Sequence, residues 1–199
     1  RNFNLYNKVY LIENLIIPSY HTQDVYYEFK NYFNDQKKFV SLLNSNIKNN
    51  LTIKLHSGYH LYNNCEEKLR WNDYDSSLLI DEGNIKFKNI IRNSKLIIFS
   101  YDSTGFLECL AYNIPCMAFW QNNLDHVRDY SKPFYNKLEE AEILFFSPAN
   151  IANKVNKVYD DINSWWFSEE VQIARNEFCL KYANTKNPHP NLIVKNILK

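Results

Sequence analysis

The sequence is poor in several residue types, and each scarcity argues against a class of protein or a type of local structure. It has three glycines and one methionine in 199 residues, and Lys and Arg exceed Asp and Glu by only 23 to 22. Because no dense basic run is present, the electrostatic footprint of a nucleic-acid-binding protein is missing. With so few glycines, we expect asparagines to occupy some of the turns that need a positive φ.

Long apolar runs are scarce as well. The apolar stretch from Val9 to Ile17 is interrupted by Glu13 and Asn14, and no window approaches the roughly 20 apolar residues that span a bilayer. No signal-peptide pattern is present, and the four cysteines show neither a CxxC pair nor metal-ligand spacing. We therefore expect a protein of the reducing cytoplasm, or one peripheral to the inner face of the membrane, with no transmembrane segment, metal or cofactor.

The composition that is present belongs to a folded globular domain. Hydrophobic residues make up 45%, aromatic residues 16% and charged residues 23% of the chain, and the length suits a single domain. The first residue is Arg1 and the only methionine is Met117, so we expect a piece of a longer protein with a further domain. The predicted organisation is one domain over 1–199, in which 163–199 form a C-terminal helical extension.

Apolar spacing predicts strands alternating with helices. A continuous apolar run such as Leu96 to Phe99 is typical of a central parallel strand that helices cover on both faces. The pattern indicates an α/β fold, a three-layer Rossmann-like sandwich with a mainly parallel sheet. Predicted strands are 51–55, 77–80, 96–99, 116–120 and 143–146. Predicted helices are 24–43, 64–71, 85–91, one after Gly105 through about Tyr112, 124–142 with a break before Pro133, 149–162, 169–182 and a short one after Pro190.

The strongest local signal is a buried strand that turns through small hydroxyl residues into a helix. Ligands of such sheets bind outside the carboxyl ends of the strands, and a helix N-terminus offers unpaired N–H groups to a phosphate. Glu108 follows Thr104 by four residues, so it shares that helix face and can accept both hydroxyls of a ribose. The predicted donor-binding residues are Ser100, Asp102, Ser103, Thr104, Gly105 and Glu108.

A structural interpretation of the same residues stands beside the functional one. Asp102 or Ser103 can be a simple N-cap, and Glu108 an acid favoured by the helix dipole. A capping box pairs an acid with the cap residue three positions earlier, which for Glu108 would be Gly105. It therefore gives no reason for the three hydroxyl side chains of the turn, and this favours the functional interpretation.

Other polar and aromatic residues carry weaker signals. His56 follows a strand and can contact the same phosphate, as a catalytic residue assisting its departure, whereas His60, His126 and His189 are interpreted as solvated or packing residues. Asp81-Glu82 is interpreted as turn composition. Trp165-Trp166 are expected to pack against the missing domain.

Two blocks of the sequence resemble a known family. They are the run from Ser100 to Pro115 with Phe119-Trp120, and the C-terminal run from Asp161 to Ser168 with Val171-Gln172, Ala174-Arg175 and 178–183. Together they are similar to a family of transferases for bacterial surface-carbohydrate biosynthesis. More distantly, His56 and the Ser103-Thr104 pair are similar to the elements with which bacterial sialyltransferases and capsule Kdo transferases hold a cytidine monophosphate sugar, although Ser57 stands where those enzymes have proline.

The resemblance implies the C-terminal half of a GT-B fold, in which two Rossmann-like domains face each other and the C-terminal one holds the nucleotide sugar. The expected enzyme is a glycosyltransferase that uses a CMP-activated or other nucleotide sugar and a saccharide or lipid-linked acceptor, with the general base on the missing N-terminal domain. We therefore expect nucleotide binding without efficient turnover. The alternatives are a polyol-phosphate transferase of the teichoic-acid type and a non-enzymatic α/β interaction module.

Overall fold

The computed structural model describes residues 1–14, 23–58 and 66–183, in which strands and helices alternate. A short 3-10 helix at Phe3–Leu5 precedes the first strand. The strands are β1 Lys8–Ile12, β2 Leu51–Lys54, β3 Leu79–Asp81, β4 Ser94–Phe99, β5 Cys116–Phe119 and β6 Leu144–Phe145. The helices are α1 Gln23–Ser41, α2 Ser45–Lys48, α3 Glu67–Tyr74, α4 Phe87–Asn93, α5 Thr104–Ala111, α6 Lys132–Glu140, α7 Pro148–Val158, α8 Ile162–Trp166 and α9 Glu169–Tyr182.

The six strands form one parallel sheet in the order β3-β2-β1-β4-β5-β6. The chain starts in the middle, builds outward through β2 and β3, and then returns to place β4 on the other side of β1. The register pairs Ile12 with both Lys54 and Phe99, so the carboxyl ends of β1, β2 and β4 lie level. The boundary between β1 and β4 is the topological switch point, where ligands bind in doubly wound sheets.

Helices cover both faces of the sheet because right-handed crossovers put the two halves of the fold on opposite sides. On one face α1 packs against α3 and α7, with the Phe33 and Trp71 rings 5.2 Å apart. On the other, α4, α5 and α6 lie with α9, and the Phe87 and Phe99 rings are 6.2 Å apart. The predicted three-layer Rossmann-like fold with a parallel sheet is confirmed.

Two central strands explain why the core forms where it does. In β1, Val9 and Leu11 are buried on one face and Tyr10 and Ile12 on the other, and the run 96–99 of β4 has no exposed surface, so both strands are buried on both faces. The run of β4 was predicted to be such a strand, whereas β1 was missed. The signal was present, since Val9-Tyr10-Leu11-Ile12 is also a continuous apolar run.

The predicted helix over 124–142 is wrong in its first half. Asn122 and Asn123 adopt φ of 62° and 48°, and the chain continues through turns before α6 begins at Lys132. Pro133 lies in the first turn of α6, where its missing N–H leaves no helical hydrogen bond broken. Both asparagines fit the expectation that Asn supplies left-handed turn positions.

The C-terminal helices pack on the domain itself. Trp166 is fully buried, and its Nε1 donates a 2.8 Å hydrogen bond to Oδ1 of Asn113, which also accepts one of 3.1 Å from Nε2 of Gln172. Asn113 has φ 55° in the turn before β5. The expectation that Trp165 and Trp166 pack against another domain is therefore wrong, because their rings are buried within this chain. The predicted helix after Pro190, His60, His189 and Cys65 lie outside the described residues.

Candidate functional site

A cavity of about 360 Å³ opens at the carboxyl edge of the sheet, over the switch point. Residues that follow four different strands border it, because the ends of neighbouring parallel strands meet at one edge. The lining begins at the last residues of three strands and continues into the loops and helices that follow. It comprises Ile12 and Glu13 at the end of β1, 54–57 at the end of β2, Gly83 and 85–87 after β3, and Phe99, Tyr101, Ser103, Gly105 and Glu108 from the end of β4 onward. The structure thus brings four of the predicted site residues together: His56, Ser103, Gly105 and Glu108.

The turn from β4 into α5 is organised by Ser103. It is the N-cap of the helix, with extended backbone, and its Oγ accepts a 3.2 Å hydrogen bond from the Phe106 N–H. That bond satisfies one of the amides that a helix start leaves unpaired. The Ser103 hydroxyl therefore has a structural role as well as a place in the cavity wall.

Gly105 lies in the first turn of α5, where two aromatic rings approach its backbone. A Cβ at this position would lie 3.0 Å from Cε1 of Phe99 and 3.2 Å from Cζ of Phe87. Since Phe99 is fully buried, its ring cannot easily move away. Gly105 thus lets the helix start close to the sheet, and Glu108, one turn further on, remains exposed beside the cavity.

Ser100 does not line the cavity but ties three elements together. Its hydroxyl donates a 2.9 Å hydrogen bond to the Ile12 carbonyl and lies 2.7 Å from the hydroxyl of Tyr32 on α1. The Tyr32 hydroxyl also accepts a 2.7 Å bond from the Asn14 N–H. Burial raises the pKa of Tyr32 well above its ordinary value, so it stays a neutral hydroxyl. Ser100 thereby holds β4, β1 and α1 in register beneath the cavity.

Asp102 and Thr104 also lie outside the cavity lining, and both are exposed. The Oδ2 atom of Asp102 accepts a 3.2 Å hydrogen bond from the Tyr135 hydroxyl and lies 3.5 Å from Nε2 of His126. Burial, and then the Asp102 charge, raise the pKa of Tyr135. The structure therefore places Asp102 beside α6, away from the cavity-facing side of α5 where Glu108 lies.

The loop after β2 is shaped by two glycines. Nδ1 of His56 accepts a 3.0 Å hydrogen bond from the Gly58 N–H, so the neutral ring carries its proton on Nε2. Gly83 has φ +87°, and a Cβ there would lie 2.7 Å from the Cα atom of Ser57. Only glycine fits this approach, which locks the loop after β3 against the loop that carries His56.

The acidic pair at the carboxyl end of β3, Asp81 and Glu82, has structural partners, as its turn composition predicted. Oδ1 of Asp81 accepts hydrogen bonds of 2.9 and 3.1 Å from the N–H groups of Asn84 and Ile85. Its Oδ2 lies 2.9 Å from the buried Lys54 ammonium. Glu82 forms an ion pair with Lys68. Asp81 thus closes the loop at the cavity edge and neutralises Lys54.

A buried carboxyl at the end of β1 was not predicted. Glu13 is 3% exposed and borders the cavity, and its Oε1 accepts a 2.9 Å hydrogen bond from Nε1 of Trp71. Burial raises the pKa of Glu13 to about 8; the Trp71 bond lowers the pKa and the nearby Glu67 carboxyl raises it. A glutamate directly after a continuous apolar run was the sequence signal for this residue.

Within the described ranges, no group of three or more His, Cys, Asp and Glu side chains is arranged to hold a metal ion. None of the described helices combines the length and apolarity of a membrane span.

The cavity lies where doubly wound sheets bind their ligands, and the sequence around it has a counterpart in one family. No curated protein sequence matches the chain. A family model described as LIC12162 family transferase matches residues 4–198, which include every strand, the cavity and the C-terminal helices. This chain therefore belongs to the LIC12162 family of transferases.

Proposed function

We propose that this chain is the donor-binding domain of a glycosyltransferase in bacterial surface-polysaccharide synthesis. The observation that carries the proposal is the cavity at the switch point, which gathers Ser103, Gly105 and Glu108 from the first turns of α5 and His56 from the loop after β2. Membership of a transferase family supports a group-transfer reaction. The domain would face a second Rossmann-like domain in a GT-B arrangement, at the inner face of the membrane or free in the cytoplasm.

In this proposal the nucleotide is held at two points of α5. The amides of Thr104 and Gly105, which a helix start leaves without intrahelical partners, bind the phosphate together with the positive end of the dipole. The Glu108 carboxylate accepts hydrogen bonds from the ribose hydroxyls. His56, across the cavity, donates from Nε2 to the departing phosphate. Donors that strengthen their bonds as charge develops on that phosphate lower the barrier.

The acceptor is a saccharide or lipid-linked saccharide, activated by a base on the facing domain. The donor sugar is carried by a nucleotide, for which the similarity of His56 and Ser103-Thr104 to sialyltransferase elements favours CMP. No step of this scheme requires a metal ion.

The test is calorimetric titration of the protein with CMP, CDP, UDP, GDP and ADP. We expect one nucleotide to bind selectively. Glu108→Gln should weaken it about tenfold or more, because a charged hydrogen-bond partner contributes roughly 1.5–3 kcal/mol. Thr104→Val should change the affinity little, because the phosphate contact is assigned to the Thr104 amide and the exposed side chain lies outside the cavity lining. Glu139→Gln, an exposed glutamate of α6, is the matched control and should change nothing.

An interaction module with no nucleotide site predicts the opposite result. Glu108→Gln would then change neither nucleotide affinity nor the activity of the protein. Retained fold in each variant, measured by circular dichroism, separates a lost contact from a lost structure. Selective binding that is unaffected by Glu108→Gln would contradict the proposed contact between the ribose and Glu108 of α5.

A further inference from the structure

Glu13 occupies a distinctive place in the cavity wall. It follows β1 directly, and β1 lies between β2 and β4 at the centre of the sheet. The Trp71 indole holds one carboxyl oxygen, Oε1, while Oε2 is buried and has no hydrogen-bond partner among the described residues. A buried polar atom without a partner costs about 1–3 kcal/mol. A ligand group that reached Oε2 would remove that cost.

The sheet order places Glu13 under the proposed phosphate. His56 follows β2 on one side of it, and Ser103 and Gly105 follow β4 on the other. A phosphate held between His56 and the start of α5 therefore lies over the end of β1. Any group at that position must be able to lie against an anion.

An ionised carboxylate would repel the phosphate, but the surroundings of Glu13 keep it neutral. Trp71 and Glu67 face it from α3, and Tyr32 faces it from α1; the Glu67 charge and burial both oppose ionisation. The buried lysine nearby in the lining, Lys54, is already paired with Asp81. The remaining charged or titratable groups of the lining are His56, Lys86, Tyr101 and Glu108.

Protonation also decides which oxygen can act. Because Oε1 accepts from the indole N–H, the acid proton is carried by Oε2, the atom without a partner. A neutral carboxyl in this orientation has a single O–H donor, on a buried atom of a side chain that borders the cavity. A phosphate oxygen, which can only accept once the phosphate is fully ionised, is its chemical complement.

We propose that Glu13 is a phosphate-binding residue that keeps its proton and donates a hydrogen bond from Oε2 to a phosphate oxygen of the nucleotide. The proposal rests on the proposed function, since it assigns a further contact to the same nucleotide. It makes the affinity for phosphate dependent on a proton held by the protein. The phosphate itself is fully ionised above about pH 7, so it does not titrate where Glu13 does.

The experiment measures affinity and proton uptake by calorimetry from about pH 7 to about pH 9, in buffers with different heats of ionisation. The probes are the same five nucleotides, with cytidine, which lacks a phosphate, as a separate arm. If only the protonated acid binds, affinity falls about tenfold across that range and about half a proton is taken up per nucleotide at about pH 8. Glu139→Gln should behave as the unaltered protein does.

Glu13→Gln distinguishes a donated hydrogen bond from a general effect of pH. The amide oxygen can accept from Trp71 and the amide N–H can replace the acid O–H, so binding should survive while the pH dependence and proton uptake disappear. An equal pH dependence in this variant overturns the inference and leaves the nucleotide site standing. The same pH dependence and proton uptake on binding cytidine, which lacks a phosphate, would overturn the inference too. Failure of all five nucleotides to bind overturns the proposed function and this inference together.

Discussion

Replacing Glu13 with Gln is expected to change how the stability of the protein depends on pH. The carboxyl has an ordinary pKa of 4.5, and burial raises the pKa to about 8 in the folded protein. Between these pH values the unfolded chain has released the proton and the folded chain still holds it. Because the folded state binds more protons in this window, the free energy of unfolding falls as the pH rises through it.

The magnitude follows from the gap between the two pKa values. Each pH unit within the window is worth about 1.36 kcal/mol, so this one group lowers stability by about 5 kcal/mol over the whole window. Between about pH 5.5 and about pH 7.5 the loss is about 2.5 kcal/mol. Glutamine does not titrate and keeps an acceptor for Trp71. The variant should therefore gain about that much stability over the unaltered protein as the pH rises.

Urea unfolding at a series of pH values, without ligand, measures the effect as the difference in the free energy of unfolding between the two proteins. Burial also raises the pKa of Glu67, and because that residue is present in both proteins the effect of its own burial cancels in the difference. Only its coupling to Glu13 remains, and this is the smallest of the three causes that set the pKa of Glu13. Glu139→Gln should run parallel to the unaltered protein. If Glu13→Gln also runs parallel, Glu13 ionises as an ordinary exposed carboxyl, and the reasoning about its burial fails.

Two further predictions concern the structure around the cavity. Asp81→Asn should destabilise the protein by about 3–5 kcal/mol, because it leaves the buried Lys54 ammonium without a counter-charge. Glu82→Gln, in the more exposed pair, should change stability by about 1 kcal/mol or less. Equal losses of stability in thermal unfolding would contradict this prediction. Asn113→Ala should destabilise by about 2–4 kcal/mol, since it adds left-handed strain to the loss of the bonds to the C-terminal helices. Asn122→Ala, at another left-handed position, controls for the strain alone. If it lowers the free energy of unfolding as much as Asn113→Ala does, the hydrogen bonds of Asn113 contribute nothing to stability.

Much of the fold could be predicted from local sequence, because a helix or strand covered by neighbours leaves a periodic apolar pattern. Helix α9 was predicted at Glu169–Tyr182, and the β4 to α5 unit was predicted with its turn. The pattern failed before α6, where turn residues rather than apolar spacing decide the backbone. It also failed at β1, whose apolar run was judged only for its ability to span a membrane.

The sequence by itself determined the fold class, the two-sided burial of β4 and the hydroxyl turn that starts α5, since each depends on residues close together in the chain. Only the tertiary structure decided which side chains from different strands and helices become neighbours at the carboxyl edge of the sheet. Lys54 and Asp81 pair because β2 and β3 are neighbours, and the proton on Glu13 depends on burial among α1, α3 and the sheet. Such effects arise from contacts between residues distant in sequence, and no local spacing encodes them.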